Sequence, residues 1–168
     1  MNDSEHQEEM SFHCKRTPAA LGLLVLLLTG CGDGVEEAAV ELSPGQEPYL
    51  RYCASCHGNQ GEGRGPSFPP LAGSEWMELP EEALAAIVLY GLRGEIEVAG
   101  QRYRGYMPPL SHISDTDVAS IIAFIKTQWG DREVEPDVDG VARARAELSG
   151  MRPLEGRPGV EDALESLQ

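Results

Sequence analysis

Residues 53–57 read Cys-Ala-Ser-Cys-His, followed by Gly58-Asn59-Gln60-Gly61. With four Cys and four His in 168 residues, random placement gives only about 0.002 expected copies of C-x-x-C-H. The spacing puts two thiols about one helical turn apart with an imidazole directly beside the second. Whatever the chain folds into, it must present these three groups together.

Three kinds of chemistry use such a cluster. A thiol–disulfide redox pair wants C-x-x-C opening a helix after a strand in a βαβ unit, and no parallel-strand pattern precedes Cys53. A structural zinc site needs about four ligands, usually from a second Cys/His pair at similar spacing. Cys14 and Cys31 lie far upstream and His112 stands alone. Covalent haem attachment needs two thiols for the porphyrin vinyls and an adjacent His that reaches the iron from the same side. Haem attachment through Cys53 and Cys56, with His57 as iron ligand, is the reading the motif favours.

Haem c is attached outside the cytoplasm, so an export signal is expected. Lys15 and Arg16 precede PAALGLLVLLLTG, an apolar run short for a bilayer span. It ends in Leu28-Thr29-Gly30-Cys31, which resembles the lipobox of bacterial lipoproteins. Residues 1–30 are thus expected to be a signal peptide and Cys31 the lipidated first residue of the mature chain; an uncleaved membrane anchor is the alternative. The residues before Lys15 are acidic, unlike a basic n-region. Translation from Met10 instead of Met1 removes that anomaly, leaving His13 and Cys14 as passengers. The expected location is the periplasmic side of a bacterial envelope, held there by lipid.

Without residues 1–30 the chain keeps 24 acidic and 11 basic residues, a net charge of −13. That argues against nucleic-acid binding and suggests a basic or dipolar docking face on any partner. Residues 31–43, the lipidated Cys and an acidic, Gly-containing stretch, read as a tether. Residues 44–130 hold the motif and the clearest periodicity. Residues 131–168 form a charged, Pro/Gly-punctuated extension, with helices expected around VARARAEL and VEDALESL. No internal repeat is present, so one domain and one haem are expected. At about 87 residues that domain is small for an independent core, and a buried porphyrin would supply apolar contact.

Three helices are predicted in residues 44–130. The first carries Tyr49, Leu50 and Tyr52 into Cys53, with Pro48 in its first turn. The second is PEEALAAIVLYG, with Leu84, Ile87, Val88 and Gly91 at i, i+3, i+4 and i+7. The third has Ser114 as N-cap, Asp117 at the capping-box position, and Ile113 with Val118 as a hydrophobic staple. Val118, Ile121, Ile122 and Ile125 form its buried stripe and Gly130 its stop. Between the second and third, EIEVAGQRY alternates about Ala99-Gly100 and predicts a small hairpin.

The iron's sixth position needs a second ligand. Met107, 50 residues after His57, lies in RGYMPPL, a loop stiffened by Pro108 and Pro109. A thioether is a weak ligand and must be held in place, which such a loop can do. A core methionine is the competing reading, and His112 is the rival ligand.

These motifs, CASCHG, PPLAG and MPPL before the last helix, resemble those of the class I (mitochondrial-type) cytochromes c, particularly the single-haem bacterial forms. The resemblance covers residues 45–130. It implies a mainly α fold, helices wrapped around one covalent haem c, with a small β-hairpin. Gly45 and Tyr49 match the Gly and aromatic residue where the first and last helices cross, and Phe124 matches the aromatic facing them. Pro48 departs from the pattern. Pro69 and Leu71 match the residues whose carbonyl accepts the axial His Nδ1–H and whose side chain packs on the porphyrin.

Arg93, Arg102, Arg104, Tyr103 and Trp76 are weaker candidates, as donors to a haem propionate; Trp129 reads as core. With His57 and Met107 filling both axial positions, catalysis is disfavoured. The expected function is one-electron transfer between a quinol- or substrate-oxidising complex and a terminal oxidase or reductase. The alternatives are a haem-containing subunit of a larger oxidoreductase, or a haem enzyme or gas sensor with a displaceable sixth ligand.

Overall fold

Ser114 turns the chain into the longest helix among the described residues. Its hydroxyl accepts from the Asp117 N–H at 3.1 Å, and helix α4 runs from there over Asp115–Trp129. Ile113 and Val118, on either side of the cap, are both buried, as a hydrophobic staple requires. This is one element of a computed structural model that describes residues 41–168. The expected signal peptide, Cys31 and the tether as far as residue 40 lie outside the described residues, as do both candidate start sites, Met1 and Met10.

In chain order α4 is preceded by α1 (Gln46–Tyr52), α2 (Ala54–His57), a 3-10 turn η1 (Glu75–Glu78), α3 (Glu81–Tyr90), and strands β1 (Leu92–Val98) and β2 (Gln101–Met107). After it come α5 (Val138–Glu147), β3 (Leu154–Glu155) and α6 (Gly156–Ser166). The protein is mainly α, with a small sheet. Among the described residues no helix is long and apolar enough to cross a membrane.

Helices α1 and α4 cross where Gly45 meets the Ser120 carbonyl and the Phe124 Cβ; a Cβ at residue 45 would collide with both. Pro48 does not disturb this crossing. It is the third residue of α1, where the backbone N–H has no helical acceptor to lose. Tyr49 is fully buried beside the crossing and packs on Phe124 and Trp129, with ring centroids 5.3 Å away in each case. Trp129, half-buried, closes this aromatic cluster from the end of α4.

The hairpin is longer than the alternating stretch suggested. Antiparallel pairing extends from Val98↔Gln101 out to Leu92↔Met107. Its two turn residues, Ala99 and Gly100, both have positive φ, the type I′ geometry that suits strand twist. A third strand joins from the C-terminal segment: β3 pairs parallel to β1, Leu92 opposite Leu154, giving the order β2-β1-β3. Residues 131–168 contribute α5 and α6, and their Val141, Ala144, Leu148, Leu154, Val160 and Ala163 are buried in the same core as α3 and α4.

Candidate cofactor site

The short helix α2 follows α1 after a break at Cys53, and the Cys56 and His57 N–H groups both return to the Cys53 carbonyl. Both thiols line one cleft together with His57. Cys53 is buried and unpaired, Cys56 half-buried and unpaired. Burial, with Cys56 nearby, pushes the Cys53 thiol up to about 12. A dithiol built for exchange has the opposite bias, since its nucleophile is the thiolate.

His57 is held from behind. Its Nδ1 lies 2.9 Å from the Pro69 carbonyl oxygen, and because a carbonyl only accepts, Nδ1 carries the proton and Nε2 keeps its lone pair. Burial lowers the imidazole's pKa, with the Pro69 carbonyl opposing that effect, so the ring is a neutral donor at neutral pH. The loop supplying Pro69 is itself pinned. Gly63 N–H donates to the His57 carbonyl at 2.7 Å, and Leu71 and Ala72 both donate to the Gly61 carbonyl, at 2.8 and 3.0 Å. Leu71 follows Pro69 into the cleft wall.

The cleft encloses about 1080 Å³ of empty space, its open mouth included. Its walls are apolar. Leu84, Ile87 and Val88 come from α3, Ile121 and Ile125 from α4, Trp76 and Met77 from η1, and Ile96, Val98 and Tyr103 from the hairpin. Met107, the last residue of β2, also lines it. The segment after Met107 is fixed close to α3: Leu110 N–H donates to the Val88 carbonyl at 2.9 Å. At the end of α3, Gly91 has φ 77°, and a Cβ there would strike the Met107 carbonyl and the Pro109 nitrogen.

His112 is exposed, faces the Tyr52 ring edge-on at 6.2 Å, and is not part of the cleft lining. The weaker polar candidates have partners within the protein. Arg93 pairs with Glu155 at 2.6 Å, Arg102 and Arg104 with Glu95 at 3.7 and 3.2 Å, and the Trp76 indole N–H donates to the Glu97 carbonyl at 2.8 Å. Tyr103 is buried in the wall. Sequence reasoning missed Lys126, buried with its Nζ donating to the Met77 and Leu79 carbonyls. It also missed Arg145, which reaches from α5 to the loop before α4. The signal for Lys126 was present, since it falls at i+8 from Val118 on the buried stripe.

Residues 42–129 match the family model described as Cytochrome c. The chain belongs to the cytochrome c family. A cytochrome c domain implies haem c, and the residues here suit it: an open apolar cleft with two unpaired thiols and an imidazole whose Nε2 has no hydrogen-bond partner among the described residues. Among curated relatives, cytochrome c-552 of Thermus thermophilus is 41% identical over 97 residues, 55% of this chain and 65% of that protein. Cytochrome c4 of Pseudomonas aeruginosa is 31% identical over 137 residues, 81% of this chain and 62% of that protein. The cytochrome c subunit of a quinone-dependent alcohol dehydrogenase from Gluconobacter oxydans is 31% identical over 101 residues, 52% of this chain but 18% of that subunit. The chain thus spans less than two thirds of the length of each of these relatives. These relatives are cytochromes c or a cytochrome c subunit.

Proposed function

We propose that the chain transfers single electrons through one haem c, bound by thioether links to Cys53 and Cys56 and ligated by His57 Nε2 and Met107 Sδ. The observation that carries this reading is the meeting of His57 and Met107, 50 residues apart, in one apolar cleft with both thiols. The bound group supplies an iron that changes charge by one. The chain's own residues do the rest. Pro69 holds the imidazole in the Nδ1–H tautomer and makes Nε2 a better donor. Pro108, Pro109 and Gly91 hold the thioether in place, and a sulfur ligand favours the reduced iron. The apolar walls exclude water, so no ligand exchange accompanies the transfer.

The test is direct. The purified protein should keep its haem stain after acid-acetone extraction and denaturing electrophoresis; colour lost under those conditions removes the covalent assignment. Met107→Ala should abolish the weak iron–sulfur charge-transfer band of the oxidised protein and let carbon monoxide bind the reduced one. If wild type binds carbon monoxide rapidly and stoichiometrically, it is instead a haem enzyme or gas sensor.

We also propose that Cys31 carries lipid and that the domain works at the periplasmic face of a bacterial membrane, taking electrons from a quinol- or substrate-oxidising complex and passing them to a terminal oxidase or reductase. Two or more acyl chains suffice for stable anchoring where one would be marginal. Wild type should incorporate labelled palmitate and sediment with membranes, while Cys31→Ser should lose the label; an unlabelled, freely soluble wild type overturns the anchor. A second reading, a subunit of a larger oxidoreductase, is favoured by the similarity to the dehydrogenase subunit. Co-purification with a membrane complex would support it.

A further inference from the structure

Lys126 is 1% exposed, on the apolar stripe of α4. A buried ammonium is costly unless its hydrogen-bonding capacity is met. Here two carbonyls and a carboxylate offset that cost: Nζ donates to the Met77 carbonyl at 3.0 Å and the Leu79 carbonyl at 2.5 Å, and lies at ion-pair distance, 3.6 Å, from Glu81 Oε1. Two carbonyl acceptors and a carboxylate within ion-pair distance suit an ammonium, which donates and does not accept. The same Glu81 oxygen takes Arg132 Nη2 at 2.6 Å, so two cations share one carboxylate. Burial opposes ionisation of Glu81, but its own backbone N–H, Lys126 and Arg132 outweigh burial and hold the carboxyl below its ordinary value. Of the two cations on Glu81, only Lys126 is buried; the Arg132 side chain is exposed.

The place of the ammonium in the fold matters more than its sign alone. The two carbonyls close the end of η1, whose Trp76 and Met77 line the cleft, and Ile125, the residue before Lys126, lines it too. The ammonium thus sits one residue behind the cofactor wall, on the protein side and away from solvent.

We infer that Lys126 is a positioning residue of the cofactor site, fixing the η1 wall through two carbonyls and biasing the bound haem toward its one-electron-reduced state through its charge. This deepens the haem reading above and rests on it. A charge in apolar surroundings is weakly screened. A positive one favours whichever cofactor state carries one positive charge less, the state reached by accepting one electron. Glu81, which pairs with the ammonium and does not line the cleft, opposes the bias. Lys126 and Glu81 must then act on the potential with opposite signs, which a purely structural role for the pair does not require.

The experiment measures midpoint potentials by spectroelectrochemical titration of haem-loaded wild type, Lys126→Gln and Glu81→Gln. Each protein is first checked for haem stain on a denaturing gel and for an unchanged visible spectrum. Glutamine at 126 keeps an N–H donor and removes the charge. The expected result is a lower midpoint in Lys126→Gln and a higher one in Glu81→Gln. Shifts of the same sign, or no shift in either, overturn the inference while leaving the haem reading intact. If Lys126→Gln does not retain haem, the partly exposed Glu81→Gln decides alone: a rise supports the inference, and no change or a fall overturns it. A wild type without haem stain removes the haem reading and this inference with it.

Discussion

At Gly91 the backbone adopts φ 77° and ψ 171°, a region open essentially to glycine alone. The Met107 carbonyl and Pro109 nitrogen occupy the space a Cβ would need. Gly91→Ala is therefore expected to cost about 1–3 kcal/mol in backbone strain and to push the Met107 segment outward. The strain would register as a lower urea midpoint, and the displacement as carbon monoxide binding to the reduced protein well below that midpoint. If the variant loses stability yet still excludes carbon monoxide, Gly91 does not position Met107. Residues of this kind divide sharply by legibility. Cys53, Cys56 and His57 could be read from the chain because their chemistry fixes a local spacing. Pro69 and Leu71 needed a resemblance, since a carbonyl that accepts from an imidazole 12 residues back leaves no trace in side-chain pattern. Lys126 was not singled out, although it falls on the apolar stripe of α4 at i+8 from Val118.

Among the elements, α5 shows what the C-terminal segment does for the rest. Arg145 donates through Nε to Asp115 Oδ1 at 2.7 Å, through Nη2 to the Ile113 carbonyl at 2.7 Å, and through Nη1 to the Ser111 carbonyl at 2.5 Å. Its own carbonyl accepts from the Tyr90 hydroxyl at 2.8 Å. One residue thus ties α5 to the end of α3, the start of α4 and the loop that follows Met107. Further along, Leu154 N–H donates to the Gly91 carbonyl at 3.0 Å, placing β3 in register with Leu92 and, across the hairpin, with Met107. Arg145→Ala should lower stability by about 1–2 kcal/mol, the lower part of the range for hydrogen bonds to a charged group because the side chain is partly exposed. Lysine should rescue little, since it has no planar fork to reach three acceptors. Chemical denaturation of the haem-loaded proteins checks both, and an Arg145→Lys variant as stable as wild type would sink the forked-clamp account. The helices of residues 131–168 were legible because Val141, Ala144 and Leu148 recur at helical spacing. Their docking face and the third strand were not. A two-residue strand has no periodicity, and its partner lies about 60 residues earlier in the chain.

For the whole molecule, the cleft decides how stability and cofactor are linked. Its walls come from α3, α4, η1 and the hairpin, so nearly every element of residues 44–130 turns apolar side chains toward one space. A cavity of this size in apolar surroundings forfeits contacts on every side, and collapse would have to move several elements at once. Helices α4 and α1 retain contacts independent of the cleft, through the Gly45 crossing and the Tyr49, Phe124 and Trp129 rings. The Cys53→Ala/Cys56→Ala protein, unable to form thioethers, should therefore keep much of its helix while losing fixed packing. It is expected to show far-UV dichroism near that of the wild type, weak near-UV dichroism, strong binding of a hydrophobic dye and a broad thermal transition. Haem added non-covalently should partly restore the near-UV signal, because His57 and Met107 remain to hold it. If the doubly substituted protein instead unfolds as cooperatively as the wild type and ignores the dye, the core closes without the cofactor, and the thiols serve attachment alone.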